Sequence, residues 1–223
     1  MSIMPPGSDR KTVHLPAPYY ADESVTLYHG DCREISAWLH ADVLVTDPPY
    51  GMAYVSGWKP NEIAGDRTLA IRDDALVAWG NRPALIFGTW RAPRPAATRA
   101  LLVWDKGEWP GMGDLKLPWG PSHEEVYVLG EGFIGAREGT VIRTNRIPAA
   151  RVDHPTPKPV SLMERLIQKC PPGVIADPFS GSGATLLAAR AQGRRAIGVE
   201  LEERYCELIA SRLAQGDLFG GVA

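Results

Sequence analysis

The sequence predicts an α/β fold: a Rossmann-like, seven-stranded, mostly parallel sheet with helices on both faces. Short apolar runs alternate along the chain with amphipathic stretches, and the runs at residues 43–45 and 174–176 pass directly into turns with polar residues. Apolar runs without polar alternation are typical of parallel strands that are buried on both faces. A strand, a helix and a second strand in succession imply a right-handed crossover within one parallel sheet.

Taken in order, the chain supports this fold class element by element. Seven strands are predicted, at residues 25–30, 42–46, 84–87, 101–104, 125–129, 174–176 and 195–199. Five helices are predicted from the 3.6-residue period of their apolar positions, at residues 33–40, 69–79, 161–169, 184–192 and 202–213. Residues 1–22 are polar and contain several prolines, so we expect a tail or a surface strap there. Residues 23–217 are expected to form one domain.

The composition is that of a globular protein in water, with 44% hydrophobic and 22% charged residues. The formal net charge of -2 provides no global field toward nucleic acid, so any such affinity must come from local patches. The three cysteines show no metal-ligand spacing, and no apolar run approaches the ~18 residues of a membrane span. We therefore expect a cytoplasmic protein with no metal site and no membrane partner.

The turn after the strand at 42–46 is rich in hydrogen-bond acceptors and reads Asp47-Pro48-Pro49-Tyr50. It follows the carboxyl end of a strand, where open α/β sheets bind their ligands. The two prolines fix φ and remove two backbone donors, so the turn presents bare carbonyls between a carboxylate and an aromatic ring. Acceptors beside a flat stacking surface suit a planar ring that carries an NH2 group.

A second turn joins the strand at 174–176 to a helix and contains the binding candidates Asp177, Phe179, Ser180, Gly181 and Gly183. Its glycines let the backbone approach a ligand closely, and Glu200, after the next strand, can accept hydrogen bonds from ribose hydroxyls. The turn lacks the third glycine of a dinucleotide fingerprint and the G-K-[ST] of a phosphate loop. An acidic residue at its entrance suits a cation, so we expect S-adenosylmethionine, which carries a sulfonium and an ammonium group.

Together the two turns resemble those of the amino-methyltransferases of DNA, which methylate adenine N6 or cytosine N4. The resemblance rests on Asp47-Pro-Pro-Tyr, on Phe179-x-Gly-x-Gly and on the proline-lysine segment at 154–159. The first turn precedes the second, as in the permuted β-class, which implies the circularly permuted SAM-dependent methyltransferase fold. The domain would then consist of a catalytic half (23–130), a short recognition or linker segment (131–153) and a cofactor half (154–217).

The resemblance also assigns roles to residues outside the glycine turn. It implies that Asp31 lies near the adenine of the cofactor, Glu200 on its ribose, and Thr156 and Lys158 near its methionine end. Each of these residues lies outside a longer motif, and the alternative for Asp31 is that it caps the helix predicted at 33–40.

The expected reaction is methyl transfer to an exocyclic amine of a DNA base that is flipped out of the duplex or already single-stranded. Asp47 and the Pro48 carbonyl would hold the amine, and Tyr50 would stack on the base. In the family, Asp rather than Ser at the first position of this motif favours adenine N6. Cytosine N4 stays open as the alternative, as do RNA as the substrate and, from a different class, a catalytically silent nucleic-acid-binding module.

Two arginine-rich stretches are candidates for DNA contact. Residues 82–99 contain four arginines and no acid, and residues 137–158 contain five basic and two acidic side chains. The individual candidates are Arg91, Arg94, Arg143, Arg146 and Arg151. Family members usually carry a larger recognition segment than residues 133–153. We therefore expect a short or degenerate recognition sequence, or a second subunit in a homodimer.

Overall fold

The computed structural model describes residues 16–52, 68–107, 113–146 and 157–219, with side chains described to residue 215. Its described strands are β1 (Tyr20–Ala21), β2 (Val25–His29), β3 (Val43–Thr46), β4 (Ala84–Gly88), β5 (Ala100–Asp105), β6 (His123–Leu129), β7 (Val141–Arg143), β8 (Ile175–Asp177) and β9 (Ala196–Glu200). The helices are α1 (Ala70–Trp79), α2 (Val160–Ile167), α3 (Ala184–Ala191) and α4 (Glu203–Phe219), with a 3-10 helix at Ala37–His40.

All nine described strands belong to one sheet, in the order β1-β2-β9-β8-β3-β4-β6-β5-β7. The five strands from β2 to β4 in this order run parallel to one another. β6 runs antiparallel to both β4 and β5, and β7 runs parallel to β5. The carboxyl ends of β2, β9, β8, β3, β4, β5 and β7 therefore lie at the same edge as the amino end of β6, and we call this edge the site edge.

Helices cover both faces of the sheet because side chains alternate along each strand. In β3, Val43 and Val45 point into one buried cluster with residues of α2, α3 and α4, whereas Leu44 points into the other. That second cluster contains Trp38 of the 3-10 helix stacked on Trp79 of α1, with ring centroids 5.8 Å apart. The central strands bury side chains on both faces, which explains their continuous apolar runs.

The seven predicted strands and four of the five predicted helices are confirmed in position; most ends differ by one or two residues, and α4 continues to Phe219 rather than ending at 213. The helix expected at 33–40 is wrong in type: it is a turn followed by a four-residue 3-10 helix. β1 and β7 are short strands that the sequence did not predict, and β1 shows that the expected tail (1–22) already joins the sheet at Tyr20. Among the described helices, none combines the length and the apolar character that crossing a bilayer requires.

Candidate active site

The catalytic candidates lie at the site edge, directly after β3. The Tyr50 hydroxyl donates to Asp47 Oδ1 at 2.6 Å, so the aromatic ring and the carboxylate at the two ends of the turn hold one another. Pro48 between them is buried, and Pro49 and Tyr50 are half-buried. The diproline backbone therefore forms a short, stiff corner with a carboxylate on one side and a ring on the other.

Lys158 lies in this corner rather than apart from it. Its ammonium forms an ion pair with Asp47 Oδ2, and its side chain is only 7% exposed. The same nitrogen lies 5.0 Å from the centroid of the Phe87 ring and 6.0 Å from that of Tyr50. The proline-lysine segment thus joins the catalytic turn, 111 residues earlier in the chain.

A second carboxylate completes the group. Glu124, in β6, lies 3.2 Å from Lys158 Nζ and 2.6 Å from Lys106 Nζ. Its Oε2 also lies 3.3 Å from the Tyr50 hydroxyl, so that hydroxyl is within hydrogen-bond distance of both Asp47 and Glu124. The sequence analysis did not identify Glu124 or Lys106 as site residues.

The charges in this group modify one another. Burial raises the pKa of Asp47 above its usual range, although the Lys158 ammonium lowers it. Burial alone would lower the pKa of Lys158, but Asp47 and Glu124 raise it above its usual value, so the amine stays protonated. Burial raises the pKa of Glu124, but the two lysine ammoniums more than offset it and hold the pKa below its usual value.

The cofactor candidates lie at the same edge, on the strand next to β3. Thr46, the last residue of β3, donates its hydroxyl to Asp177 Oδ1 at 2.6 Å. Asp177 ends β8 and is itself buried. β3, which carries the acceptor-rich turn, pairs directly with β8, which carries the glycine turn, and this hydrogen bond links their ends. Both turns therefore lie at the same edge of the sheet.

The glycine turn has the backbone that its sequence requires. Gly181 and Gly183 have φ of 50° and 80°, and Gly183 is the N-cap of α3. A Cβ at Gly183 would lie 2.8 Å from Ile209 of α4, so a side chain there would push α3 away from α4. Ser180 donates its hydroxyl to the Asp177 carbonyl at 2.9 Å, which closes the turn, and Phe179 is half-buried beside it.

Glu200 ends β9 and faces this turn. Its two carboxylate oxygens accept the backbone N–H groups of Gly181, at 2.7 Å, and Glu202, at 2.8 Å. Burial raises the pKa of Asp177 to about 6 and that of Glu200 to about 7. Among the described residues no lysine or arginine pairs with either carboxylate. Two buried acids without a cationic partner, beside an open-backbone turn, fit a ligand that brings positive charge and hydroxyl groups.

Asp31 lies at the same edge after β2, next to Glu200, as the register His29↔Glu200 requires. Its carboxylate accepts three hydrogen bonds from the Arg33 guanidinium, the shortest of 2.6 Å, and one from the Arg33 backbone N–H. Asp31 Oδ1 thus caps the turn at residues 31–34. The structure places this residue beside the cofactor candidates, but with its carboxylate engaged by Arg33.

Four of the five DNA-contact candidates are described, and all follow or face strand ends at the site edge. Arg91 follows β4, is exposed and lies over the Trp90 ring at 5.3 Å. Arg94 donates to Glu125 at 2.7 Å, and Arg143, at the end of β7, donates to Asp105 at 2.8 Å. Arg146 is exposed. Arg151 and the cofactor candidate Thr156 lie outside the described residues.

Comparison with known proteins gives a consistent family. The family model described as "DNA methylase" for N6 and N4 enzymes matches residues 115–211. The Type II methyltransferase M.ScaI of Streptomyces caespitosus is 39% identical, over 89% of this chain and 84% of that protein.

Two solved structures show the same fold at low sequence identity. The M1.HpyAVI–SAM complex matches with a TM-score of 0.60 and 22% identity, over 84% of this chain and 99% of that one. The PvuII DNA methyltransferase, described as cytosine-N4-specific, matches with a TM-score of 0.69 and 14% identity, over 93% and 91%. The fold predicted from the sequence is therefore confirmed.

Proposed function

Since this chain belongs to the family of DNA methylases that modify adenine N6 or cytosine N4, we propose that it methylates the N6 amine of adenine in DNA. The observation that carries the proposal is the Thr46–Asp177 hydrogen bond of 2.6 Å, which links the acceptor-rich turn and the cofactor turn. A methyl donor and an amine acceptor held on two adjacent strands meet in one crevice, as direct transfer requires.

The cofactor is S-adenosylmethionine, which supplies an electrophilic methyl group on a sulfonium. The buried Asp177 and Glu200 provide the negative charge and hydrogen-bond acceptors that its ammonium and ribose need. Gly181 and Gly183 leave the backbone uncovered where the ligand lies. We propose that Phe179 forms a wall of this pocket and that Ser180 keeps the turn closed.

The acceptor amine is activated by the catalytic turn. The amine lone pair of adenine is delocalised into the ring, so it is a poor nucleophile until the nitrogen becomes tetrahedral. Asp47 and the Pro48 carbonyl accept its two N–H groups and stabilise the tetrahedral nitrogen more than the planar one. Because the amine nitrogen of a paired and stacked base cannot enter this corner, the base must be flipped out or single-stranded to reach it.

Tyr50 holds the base in this scheme. Tyr50→Ala should reduce methyl transfer more than Tyr50→Phe, since alanine loses the stacking surface as well as the hydroxyl. Tyr50→Phe should still lose about tenfold, because the hydroxyl donates to the Asp47 carboxylate. Single-turnover rates with labelled S-adenosylmethionine measure both effects, and equal losses in the two variants would argue against stacking.

Cofactor affinity should increase with pH, because the ionised Asp177 attracts the positive charge of the cofactor and the ionised Glu200 is the stronger acceptor for its ribose hydroxyls. Their carboxyls, with pKa values of about 6 and about 7, are protonated and neutral at lower pH. Each should reduce affinity by up to about tenfold for every pH unit below its pKa. Calorimetric titration with S-adenosylmethionine at a series of pH values measures this dependence.

Two variants separate the contributions to this pH dependence. Glu200→Gln cannot ionise, so its affinity should be lower at pH 8 and nearly constant down to the pKa of Asp177. Glu207→Gln, exposed on α4, should keep the wild-type dependence. An affinity that does not change with pH in the wild type would contradict the assignment of both acids.

The choice of adenine over cytosine is supported by Asp47, since Ser at this position is more common in cytosine enzymes of the family. Incubation of unmethylated DNA with the protein and labelled cofactor, digestion to nucleosides and mass spectrometry test it directly. N6-methyladenine is expected. N4-methylcytosine would establish the alternative, and the absence of any product would favour a silent nucleic-acid-binding module.

DNA contact is proposed for the arginines of the site edge, with Arg91 and Arg146 exposed and Arg94 and Arg143 in ion pairs with Glu125 and Asp105. These residues lie at the same edge of the sheet as the catalytic turn, on the β4 side of β3, so a strand bound there would lie beside Asp47. Phosphate contacts of this kind make binding weaken steeply with salt. Methylation mapping on genomic DNA would show whether the recognition sequence is short, as the small recognition segment implies.

A further inference from the structure

Four ionisable side chains from four separate elements form one continuous chain of contacts at the site edge. Lys106 follows β5, Glu124 is in β6, Lys158 precedes α2 and Asp47 follows β3. The contacts run from Lys106 to Glu124, from Glu124 to Lys158 and from Lys158 to Asp47. The two positive and two negative charges sum to zero, and such pairing is what makes buried charges tolerable.

The Lys158 ammonium is the most buried member, at 7% exposure, and it contacts both carboxylates. An ammonium group has three donors and no acceptor, so each carboxylate uses a separate donor. Glu124 therefore holds the ammonium through a second contact, separate from that of Asp47. The same Glu124 oxygen lies 3.3 Å from the Tyr50 hydroxyl, so it also limits where the stacking ring can lie.

The proposed reaction changes the charge of one member of this chain. The amine lone pair forms the N–CH3 bond while the S–CH3 bond breaks and its electron pair stays on sulfur. The methylated nitrogen then gives a proton to Asp47, whose carboxylate becomes neutral. At that moment Lys158 loses the charge of one partner, and Glu124 is its remaining anionic partner among the described contacts.

We propose that Glu124, held by Lys106, is a positioning residue for methyl transfer: it fixes Lys158 and through it Asp47, and it keeps the Lys158 ammonium paired while Asp47 carries the proton. This inference rests on the proposed function. Glu124 contacts Lys158, Lys106 and Tyr50 rather than the amine, so it acts through other residues.

The position of Glu124 predicts a signature in the pH profile. Asp47 faces Lys158, Glu124 and Tyr50 directly, and it interacts with Asp177 across Thr46. The negative charge of Glu124 raises the pKa of Asp47, and this makes Asp47 a better proton acceptor. Removal of that charge should make Asp47 a poorer acceptor and move the acid limb of the rate to lower pH.

The experiment measures single-turnover transfer from saturating labelled S-adenosylmethionine to amplified genomic DNA, which carries no methylation, between pH 5 and 9. Glu124→Gln keeps the size of the side chain and removes its charge. We expect a rate about 10²-fold lower, since a small displacement of the aligned groups has an effect of that order. The acid limb should move to lower pH, and the affinity for S-adenosylhomocysteine should be unchanged. Glu124→Asp should recover part of the rate.

Two further variants make the result specific. Glu131 follows the end of β6 that is far from the site, pairs with Arg99, and has a side chain that is 84% exposed. The rate and pH profile of Glu131→Gln should therefore equal those of the wild type. Lys106→Gln removes a positive charge and should move the acid limb to higher pH, the opposite direction from Glu124→Gln. Lys106→Gln also carries the test if Glu124→Gln fails to fold.

The possible outcomes distinguish the proposed function from the role of Glu124. A wild-type protein that transfers no label to DNA would overturn the proposed function. An active wild type with Glu124→Gln equal to Glu131→Gln would overturn the role of Glu124 alone. A slow Glu124→Gln whose acid limb does not move would overturn it as well, because a purely structural defect lowers the rate at every pH.

Discussion

Asp47→Ala is expected to abolish methyl transfer, with a single-turnover rate at least about 10³-fold below that of the wild type. The variant loses the carboxylate that accepts an amine hydrogen and later takes its proton, and neither loss is compensated by the Pro48 carbonyl. The fold should persist, because the Lys158 ammonium still contacts Glu124 at 3.2 Å. Cofactor affinity should also persist, because Asp177 and Glu200 are untouched.

The measurement combines labelled methyl transfer with calorimetric binding of S-adenosylhomocysteine. Asp74→Ala, which removes an exposed carboxylate of α1, is the matched control and should behave as the wild type. Asp47→Asn keeps a hydrogen-bond acceptor but not the charge, so its rate should lie between those of Asp47→Ala and the wild type. Turnover by Asp47→Ala at more than a few per cent of the wild-type rate would refute the assignment.

Lys158→Met should have the largest effect on stability. Methionine fills most of the volume of lysine but leaves Asp47 and Glu124 facing each other without the ammonium between them. Breaking a buried ion pair from one side costs about 3 kcal/mol or more of the free energy of unfolding, because an uncompensated charge stays behind. Because Lys106 still pairs with Glu124 in this variant, we expect a loss close to about 3 kcal/mol.

This loss should depend on pH. Burial already raises the pKa of Asp47 above its usual value, and without Lys158 it rises further. A carboxyl whose pKa is higher in the folded than in the unfolded protein stabilises the fold at low pH and loses that contribution as the pH rises. The difference in the free energy of unfolding between the wild type and Lys158→Met should therefore become smaller as the pH falls from about 8 to 5.

Urea unfolding at several pH values measures this difference. Lys169→Met is the control, because its ion pair with Glu138 lies at the surface and should contribute little. A variant as stable as the wild type at pH 8 would show that the Asp47–Lys158 contact is not a buried ion pair in solution.

Much of the fold could be predicted because the strands at the centre of the sheet are buried on both faces. Val43, Leu44 and Val45 all point into apolar clusters, so their run is continuous and easy to recognise. β1 and β7 could not be predicted, because edge strands of two or three residues form through pairing with a neighbouring strand. Their sequences are too short to show a periodic pattern. The segment at 33–40 has apolar residues at helical spacing, but Asp31 and Arg33 stabilise a turn there instead.

The two turns of the site could be predicted because each is a compact motif after a buried strand. Glu124 and Lys106 could not, because their importance depends on the direction of β6, which apolar periodicity does not encode. One signal was present: the connection from 106 to 122 has no helical pattern, and parallel crossovers usually contain a helix. An antiparallel β6 follows from that, and it brings the beginning of this strand, rather than its end, to Asp47.

The two ends of the connection between β5 and β6 are held together by direct contacts. The Lys106 backbone N–H donates to the Ser122 carbonyl at 2.8 Å, and the Lys106 side chain pairs with Glu124. Closing a longer loop on an already fixed base costs little, since the entropy of closure grows only logarithmically with length. The length of this connection can therefore change while Lys106 and Glu124 stay where they are.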